Sequence, residues 1–525
     1  MSFVSVSFIV FLAAAVILYY LVPKKIQYLF LLAAGYVFYL SGGVRAAVYL
    51  LVTTASTYFA AIILSRLNKK RDSLPKEAKA ENEVLKKKKK LAVALALILN
   101  FGILFVLKYL GFAAESFFSF LSLFGVHVSA EIPSLLLPLG ISFFIFQSSG
   151  YVIDVYRGKY DTERNFLKYS LFTSFFPQMV QGPISRFDEL GVQLYAPHPF
   201  NADNIRSGIQ LMMWGYFKKM VIADRAAVIV TSFFADYGSF GGAVTAFSVL
   251  MYCINLYCDF SGGIDITRGA AELFGIRLAE NFKRPIFALS LSEYWRRWHI
   301  TLGAWMRDYV FYPISLSKPF AKLGKWSRKK IGGKLGKILP TSLATFIVYI
   351  FIGIWHGASL KYIAYGFWNG AIITSSLLLA NVYHRMREKL HVNSDSVGYK
   401  AFCIIRTSFI VFIGRYITRS PRLLVGLSLI ARTFTPSAFA LSEITNGVLL
   451  EMGLAISDYI VIALSVAAML IFEFYEERRG SVRDALSKKS AFIQWLGIVI
   501  PILVILFLGI MRGSYISSEF IYKQY

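Results

Sequence analysis

Along this chain the apolar residues gather in long blocks separated by short polar stretches, instead of the short alternating runs of a soluble core. A membrane span needs roughly 20 mostly apolar residues, and Val6 to Val22, Ala46 to Leu64, Leu91 to Leu110 and Ala491 to Ile510 approach that length. Further spans are expected near 26–43, 135–153, 243–258, 339–356, 362–382, 399–417 and 457–474. The pattern predicts an all-α polytopic integral membrane protein with about 11 transmembrane helices.

Three blocks depart from the simple pattern. Ala113 to Val126 reads as a short amphipathic piece. Phe166 to Val180 is too short, and too interrupted by Pro177, to cross alone, so a re-entrant or interfacial placement is expected. Ile205 to Phe234 is apolar at both ends but carries Lys218, Lys219, Asp224 and Arg225 in its middle, which predicts a break or an internal polar cavity. Neither a repeat of 20 to 50 residues nor a matching pair of broken helices is visible, which argues against a solenoid and an inverted-repeat transporter.

Composition agrees with the membrane class: 56% of the 525 residues are hydrophobic, and the mean hydropathy is +0.57. Met1 to Ser7 has no lysine or arginine and no cleavage site precedes Pro23, so the first block is expected to be a retained span. Cys253, Cys258 and Cys403 lack metal-ligand spacing, which excludes a zinc ribbon or a disulfide scaffold. The net charge of +26 would suggest nucleic acid in a soluble protein, yet the basic residues lie between the spans. Ser65 to Lys90 holds eleven Lys or Arg against four acids; the positive-inside rule makes it cytoplasmic and puts the N-terminus outside after three crossings. Tyr383 to Lys400 and Glu476 to Ser490 are further cytoplasmic loops, and such loops attract anionic lipid. The chain reads as one membrane domain over 1–525, with N-terminal helices at 1–110, a basic loop at 65–90, a core at 135–382 and C-terminal helices at 399–525.

Polar chemistry enters the apolar pattern between Asp259 and Trp368. Asp259 and Asp265 flank the pair Gly262-Gly263, and carboxylates at such positions face a cavity or a cation; arginines of the following segment are the expected partners. That segment carries Tyr294, Trp295, Trp298, Trp305 and Tyr309 among Arg296, Arg297, Arg307 and Asp308, which suits the headgroup level. Lys283 to Lys337 holds thirteen Lys or Arg and two acids, Glu293 and Asp308, a docking surface for a phosphate-bearing donor or simply a topology signal. The next apolar run ends in Trp355-His356-Gly357-Ala358. An imidazole titrates near 6.5 and an apolar setting favours its neutral form, so His356 can take a proton from a hydroxyl attacking a thioester. Trp355 offers an apolar wall and Gly357 a close approach. A lone histidine in such a helix more often fills a structural role; His299, in an equally unusual setting, shifts the balance toward chemistry. His127, His198, His384 and His391 fall in loops or helix ends. If the helix enters near Thr341, His356 lies about 23 Å along it, in the outer half of the membrane, with His299 toward the cytoplasm.

These residues resemble the membrane-bound O-acyltransferases, in particular the alginate O-acetyltransferase type that modifies exported polysaccharides and cell wall. The likeness runs through Leu139 to Phe143 with Gln147, Tyr151 to Gly158, Phe175 to Gln178 with Gln181 to Ile184, and Phe217 to Lys219 with Ala223 to Arg225. It continues through Asp259 to Asp265, Trp295 to Tyr309 and Trp355 to Ala358. It implies that His356 and His299 are the family's two catalytic histidines; Arg296, Arg297, Trp298, Arg307, Asp308, Trp355, Asp259 and Asp265 are the substrate-binding candidates that their own setting around these histidines suggests. It also implies helices around a central tunnel, no metal or bound cofactor, cytoplasmic acetyl-CoA as donor and an extracytoplasmic esterase-like partner that decorates the polymer, all at a bacterial cell membrane. Gly263-Ile264, Gly414-Arg415-Tyr416 and the ending Phe520 to Tyr525 depart from the usual pattern, which touches acceptor and partner contacts. Two rivals stand beside this reading: D-alanyl transfer from a carrier protein to teichoic acid, and a polymer or lipid transporter.

Overall fold

A computed structural model describes residues 1–75, 77–126, 138 and 140–510. His127, the start of the block at 135–153, Leu139 and the ending 520–525 lie outside the described residues. Nearly all of the described chain is helical, and its one isolated bridge pairs Phe282 with Trp298. Among the described residues, seven helices are long and apolar enough to cross a membrane: Ala47–Asp72, Lys79–Lys108, Gly242–Glu272, Gly333–His356, Val397–Arg419, Ile456–Arg479 and Ala491–Leu508. Two bent pairs, Leu360–Leu378 with Ala380–Lys389 and Leu423–Phe434 with Pro436–Thr445, raise the number to at most nine. The expected eleven are not established by this measure. Val6–Leu21 has 16 residues and Gln27–Leu40 has 14, each well short of a bilayer at about 1.5 Å per residue.

The chain divides into two compact units, Met1–Met213 with Gly263–Ala279, and Trp214–Gly262 with Glu280–Tyr525. The first is built from α1 (Val6–Leu21), α2 (Gln27–Leu40), α3 (Val44–Asp72), α4 (Lys79–Ser122) and α5 (Ile141–Arg157). Tyr39, Leu50, Leu104, Phe144, Ile145 and Met179 pack as one of its cores. Gly140 opens α5 with φ +72°, and a side chain there would meet the Met179 carbonyl at 2.1 Å, so only glycine fits. The stretch around Pro177 forms two short helices, Phe166–Ser174 and Phe176–Met179, as its length required. It is buried in the protein from Tyr169 onward. Buried hydrogen bonds tie it to its neighbours, Thr54 to Thr173 at 2.8 Å and the Gln178 amide to Gln147 Oε1 at 2.7 Å. At the basic end of α3, Lys69 meets Asp161 at 2.7 Å. With the Ser65 hydroxyl, it holds that carboxyl down at about 2.

The second unit holds α6 (Asp224–Ala235), α7 (Gly242–Glu272, up to Gly262), α8 (Leu291–Arg297), α9 (Ile300–Met306), α10 (Lys318–Lys330), α11 (Gly333–His356), α12 (Leu360–Leu378), α13 (Val397–Arg419), α14 (Ile456–Arg479) and α15 (Ala491–Leu508). No break interrupts 205–234: the helix runs on through it and widens to a π-helical stretch over Phe217–Ala223. The antiparallel pair α11 and α12 touch backbone to backbone. A Cβ on Gly353 would stand 2.4 Å from the Tyr362 carbonyl and 3.1 Å from Gly366 Cα, and one on Gly366 would stand 2.5 Å from the Tyr349 carbonyl. Small residues allow this approach in an apolar medium, where packing and not hydrophobic exclusion joins helices. The contact lies three residues before His356. Replacing Gly366 with Leu should therefore lower the melting midpoint in detergent by several degrees, since overpacking costs about 1–3 kcal/mol. Gly398→Leu, with open space around it, should leave the midpoint in place; equal midpoints for the two variants would contradict the contact's importance.

Candidate active site

His299 stands where two short helices meet. Ser290 caps α8 by accepting from the Glu293 amide at 3.2 Å, and Glu293 returns the contact by accepting from the Leu289 amide at 3.0 Å. Arg297 closes α8 and pairs with Glu293 at 2.7 Å and Glu477 at 2.9 Å, while Arg284 meets Glu477 at 2.8 Å. The chain then turns through His299 at φ +49°, a left-handed conformation that costs an ordinary residue about 1–2 kcal/mol. Asn281 holds the turn. Its carbonyl accepts from the Ile300 amide at 3.0 Å, and its side-chain oxygen accepts from both the amide and the hydroxyl of Thr301 at 3.0 Å.

The same oxygen lies 3.3 Å from His299 Nδ1. Because the Thr301 amide can only donate, it fixes which end of the Asn281 side chain faces this way, and Nδ1 must then carry hydrogen to meet it. Nε2 is left with the lone pair in the neutral ring. Burial pushes the His299 imidazole down to about 3, so the ring stays neutral at physiological pH.

His356 ends α11. A Cβ on the following Gly357 would run into the Tyr362 ring at 2.3 Å, so this glycine is what allows Tyr362 to close over the helix end. The ring of His356 is half-buried, 6.4 Å from Tyr362 and 6.1 Å from Tyr365 between ring centroids. Trp355 joins the two histidines: its ring lies 5.0 Å from that of His356 and 5.7 Å from that of His299, and Phe260 stands edge-on to His299 at 4.9 Å. One neutral imidazole in a fixed tautomer and a second at a helix end, around a shared indole, make a site able to move a proton in apolar surroundings.

Of the residues singled out in the sequence, His299, Trp355, His356 and Trp298 come together. Asp259 is buried beside them but pairs with a lysine where an arginine was expected. Lys219 meets it at 2.6 Å and Asp224 at 2.9 Å, because the π-helical stretch carries Lys219 into the interior. Asp265 pairs with Arg268 of its own helix at 3.5 Å and lies in the first unit. Arg296 and Arg307 are exposed, the latter bonded to Asp308 at 2.9 Å. Within the aromatic segment Tyr294, Trp298 and Trp305 are buried in the protein, Trp298 stacking on Tyr294 at 5.6 Å and beneath Arg415 at 5.2 Å. His384 and His391 are exposed as expected, and His198 is half-buried, its Nε2 2.8 Å from the Gln193 carbonyl. Asn281 is not among the residues singled out in the sequence and Arg415 enters there only as a departure; both are buried polar groups, and a polar residue in a semi-apolar stretch is the signal that could have found them.

The profile of the membrane-bound O-acyltransferase family matches residues 161–328, a stretch that contains His299 and stops before His356. A probable alginate O-acetylase of Pseudomonas aeruginosa is 30% identical over 448 residues, 85% of this chain and 77% of that protein. The chain belongs to the membrane-bound O-acyltransferase family. It is thus a multi-pass membrane enzyme that transfers acyl groups, with bacterial relatives. A peptidoglycan O-acetyltransferase of Helicobacter pylori is 29% identical over 374 residues, 65% of each chain. A teichoic acid D-alanyltransferase of Streptococcus thermophilus is 28% identical over 302 residues, 55% of this acyltransferase and 68% of that one. Asn281→Ala removes the acceptor that holds the left-handed turn, and acyl transfer should fall at least about 10-fold while the protein stays folded. Asn281→Asp, which keeps an acceptor, should recover part of the rate; an Ala variant at full rate would show that the turn holds itself.

Proposed function

We propose that this acyltransferase moves an acetyl group from a cytoplasmic thioester, acetyl-CoA, across the membrane to a hydroxyl of an exported polysaccharide or cell-wall polymer, with His356 as the general base. The observation that carries the reading is the pairing of His299 and His356 about Trp355, at the end of α11 opposite the basic stretch Lys318 to Lys337. That stretch has no acid and suits the phosphates of a nucleotide-bearing donor. The names of the relatives favour acetyl transfer to a carbohydrate polymer: those that match over most of the chain are alginate O-acetylases, and the D-alanyl transferases match over a shorter stretch.

In this reading the acceptor hydroxyl attacks the acyl carbon while His356 takes its proton. The thioester carbon–sulfur bond then breaks, and the thiolate receives the proton back from His356. His299, neutral and fixed by Asn281, orients the donor toward that carbon. Trp355 excludes water from the path, which protects the thioester from hydrolysis. The hydroxyl that attacks in this step is that of an extracytoplasmic esterase-like partner, which passes the acetyl group on to the polymer hydroxyl.

In cells with normal levels of the protein, His356→Ala should abolish O-acetate on the secreted polymer or wall. Unchanged acetate would remove His356 from the chemistry. Purified enzyme in detergent should release CoA from acetyl-CoA when a hydroxyl acceptor is supplied to take the acetyl group; turnover only with an aminoacylated carrier protein would instead establish D-alanyl transfer.

A further inference from the structure

Arg415 is 5% exposed within α13 and stands in apolar surroundings. Its guanidinium donates to the Tyr365 hydroxyl at 3.2 Å and the Tyr294 hydroxyl at 2.9 Å, and it lies over the Trp298 ring at 5.2 Å and the Tyr365 ring at 5.8 Å. Among the described residues no carboxylate comes within ion-pairing distance of it. Lys219, Arg225 and Arg297 of the same unit each have one, Asp259, Asp458 and Glu477. Phenol oxygens and ring faces solvate a cation without neutralising it. A standing positive charge in an apolar interior is costly, and it strongly favours any negative charge that forms nearby.

Its neighbours flank the two histidines. Tyr365 is beside His356, with ring centroids 6.1 Å apart, and Trp298 immediately precedes His299 in the chain. We infer that Arg415 and Tyr365 are the charge-stabilising element of acyl transfer, with Arg415 acting through the Tyr365 hydroxyl on the oxyanion of the tetrahedral intermediate. The inference rests on His356 being where transfer occurs. As the acceptor oxygen bonds to the acyl carbon and its proton passes to His356, the carbonyl electron pair moves onto oxygen. On collapse the C=O re-forms, the C–S bond breaks and the thiolate takes the proton. Arg415, by donating to the phenol oxygen, makes the Tyr365 O–H a stronger donor toward that transient anion. Arg415 is in this sense a positioning residue, and Tyr365 the group that meets the reacting atoms.

The test is steady-state transfer from acetyl-CoA to a supplied hydroxyl acceptor by purified full-length enzyme in detergent, read as CoA release, or from the aminoacylated carrier if that donor alone supports turnover. Tyr365→Phe, which keeps the ring, should lower kcat by about 10²–10³, the loss seen when one oxyanion donor is removed, with KM within about threefold of wild type. Arg415→Met should do the same, Arg415→Lys should recover part of the loss, and the Arg415→Met/Tyr365→Phe pair should be no slower than the slower single variant. Wild-type kcat in Tyr365→Phe overturns the inference, as does a loss confined to KM or one that tracks a lowered melting midpoint. If Arg415→Met fails to fold, Tyr365→Phe alone decides. An inactive His356→Ala beside a fully active Tyr365→Phe sinks this inference only; an active His356→Ala sinks the assignment of the base.

Discussion

Charge in the apolar parts of this chain must find a partner, and much of the second unit is arranged to provide one. Lys219 is fully buried and lies between Asp224 and Asp259. Removing one partner from such a group leaves charge that the surroundings cannot solvate, a loss of about 3–5 kcal/mol in comparable cases. Its pairing therefore constrains the π-helical stretch, the start of α6 and the middle of α7 together. Phe260, next to Asp259 in sequence, stands against His299, so this charge arrangement also sets one wall of the site. Arg297 and Arg284 repeat the principle at the end of α14, where Glu477 receives both.

Two further constraints place the histidines. His356 owes its position to a helix end held by glycines, since the contact of Gly353 with Gly366 fixes how α11 and α12 cross just before it. His299 owes its position to a strained turn that Asn281 over-determines with four contacts. Neither ring is placed by its own interactions alone. That is the usual condition of a working site, where first contacts are reliable only if their supports are rigid.

Much of this was legible in the sequence. Helical class, membrane character and the family follow from block length, basic loops and the motifs ending at His356. An irregularity inside 205–234 followed from four charged residues in an apolar stretch, and the structure gives it a form, the π turn, in place of a break. Other features were opaque because they depend on which distant residues meet. The spacing of Asp259 names a need for a cation but cannot choose Lys219, 40 positions earlier, over the nearer arginines. Aromatic residues among arginines look alike whether or not they gather around an internal guanidinium, and only the position of Arg415, more than 100 residues on, separates the cases. Helix number is open for a related reason: apolar runs such as those at 6–22 and 26–43 form helices of only 16 and 14 residues, so block length alone does not say which helices cross.

The π-helical stretch over Phe217–Ala223 has one more lesson in it. Such a turn holds one residue beyond what an α-helix would accommodate, which makes it, in the history of a gene, a tolerated insertion. Deleting a single codon between Lys219 and Asp224 would let the helix close into regular register, and the two residues, then four apart, would still share a face. Losing Lys219 itself would instead leave Asp224 and Asp259 buried without their cation. The stretch thus tolerates a change in its length more readily than the loss of the Lys219 amine.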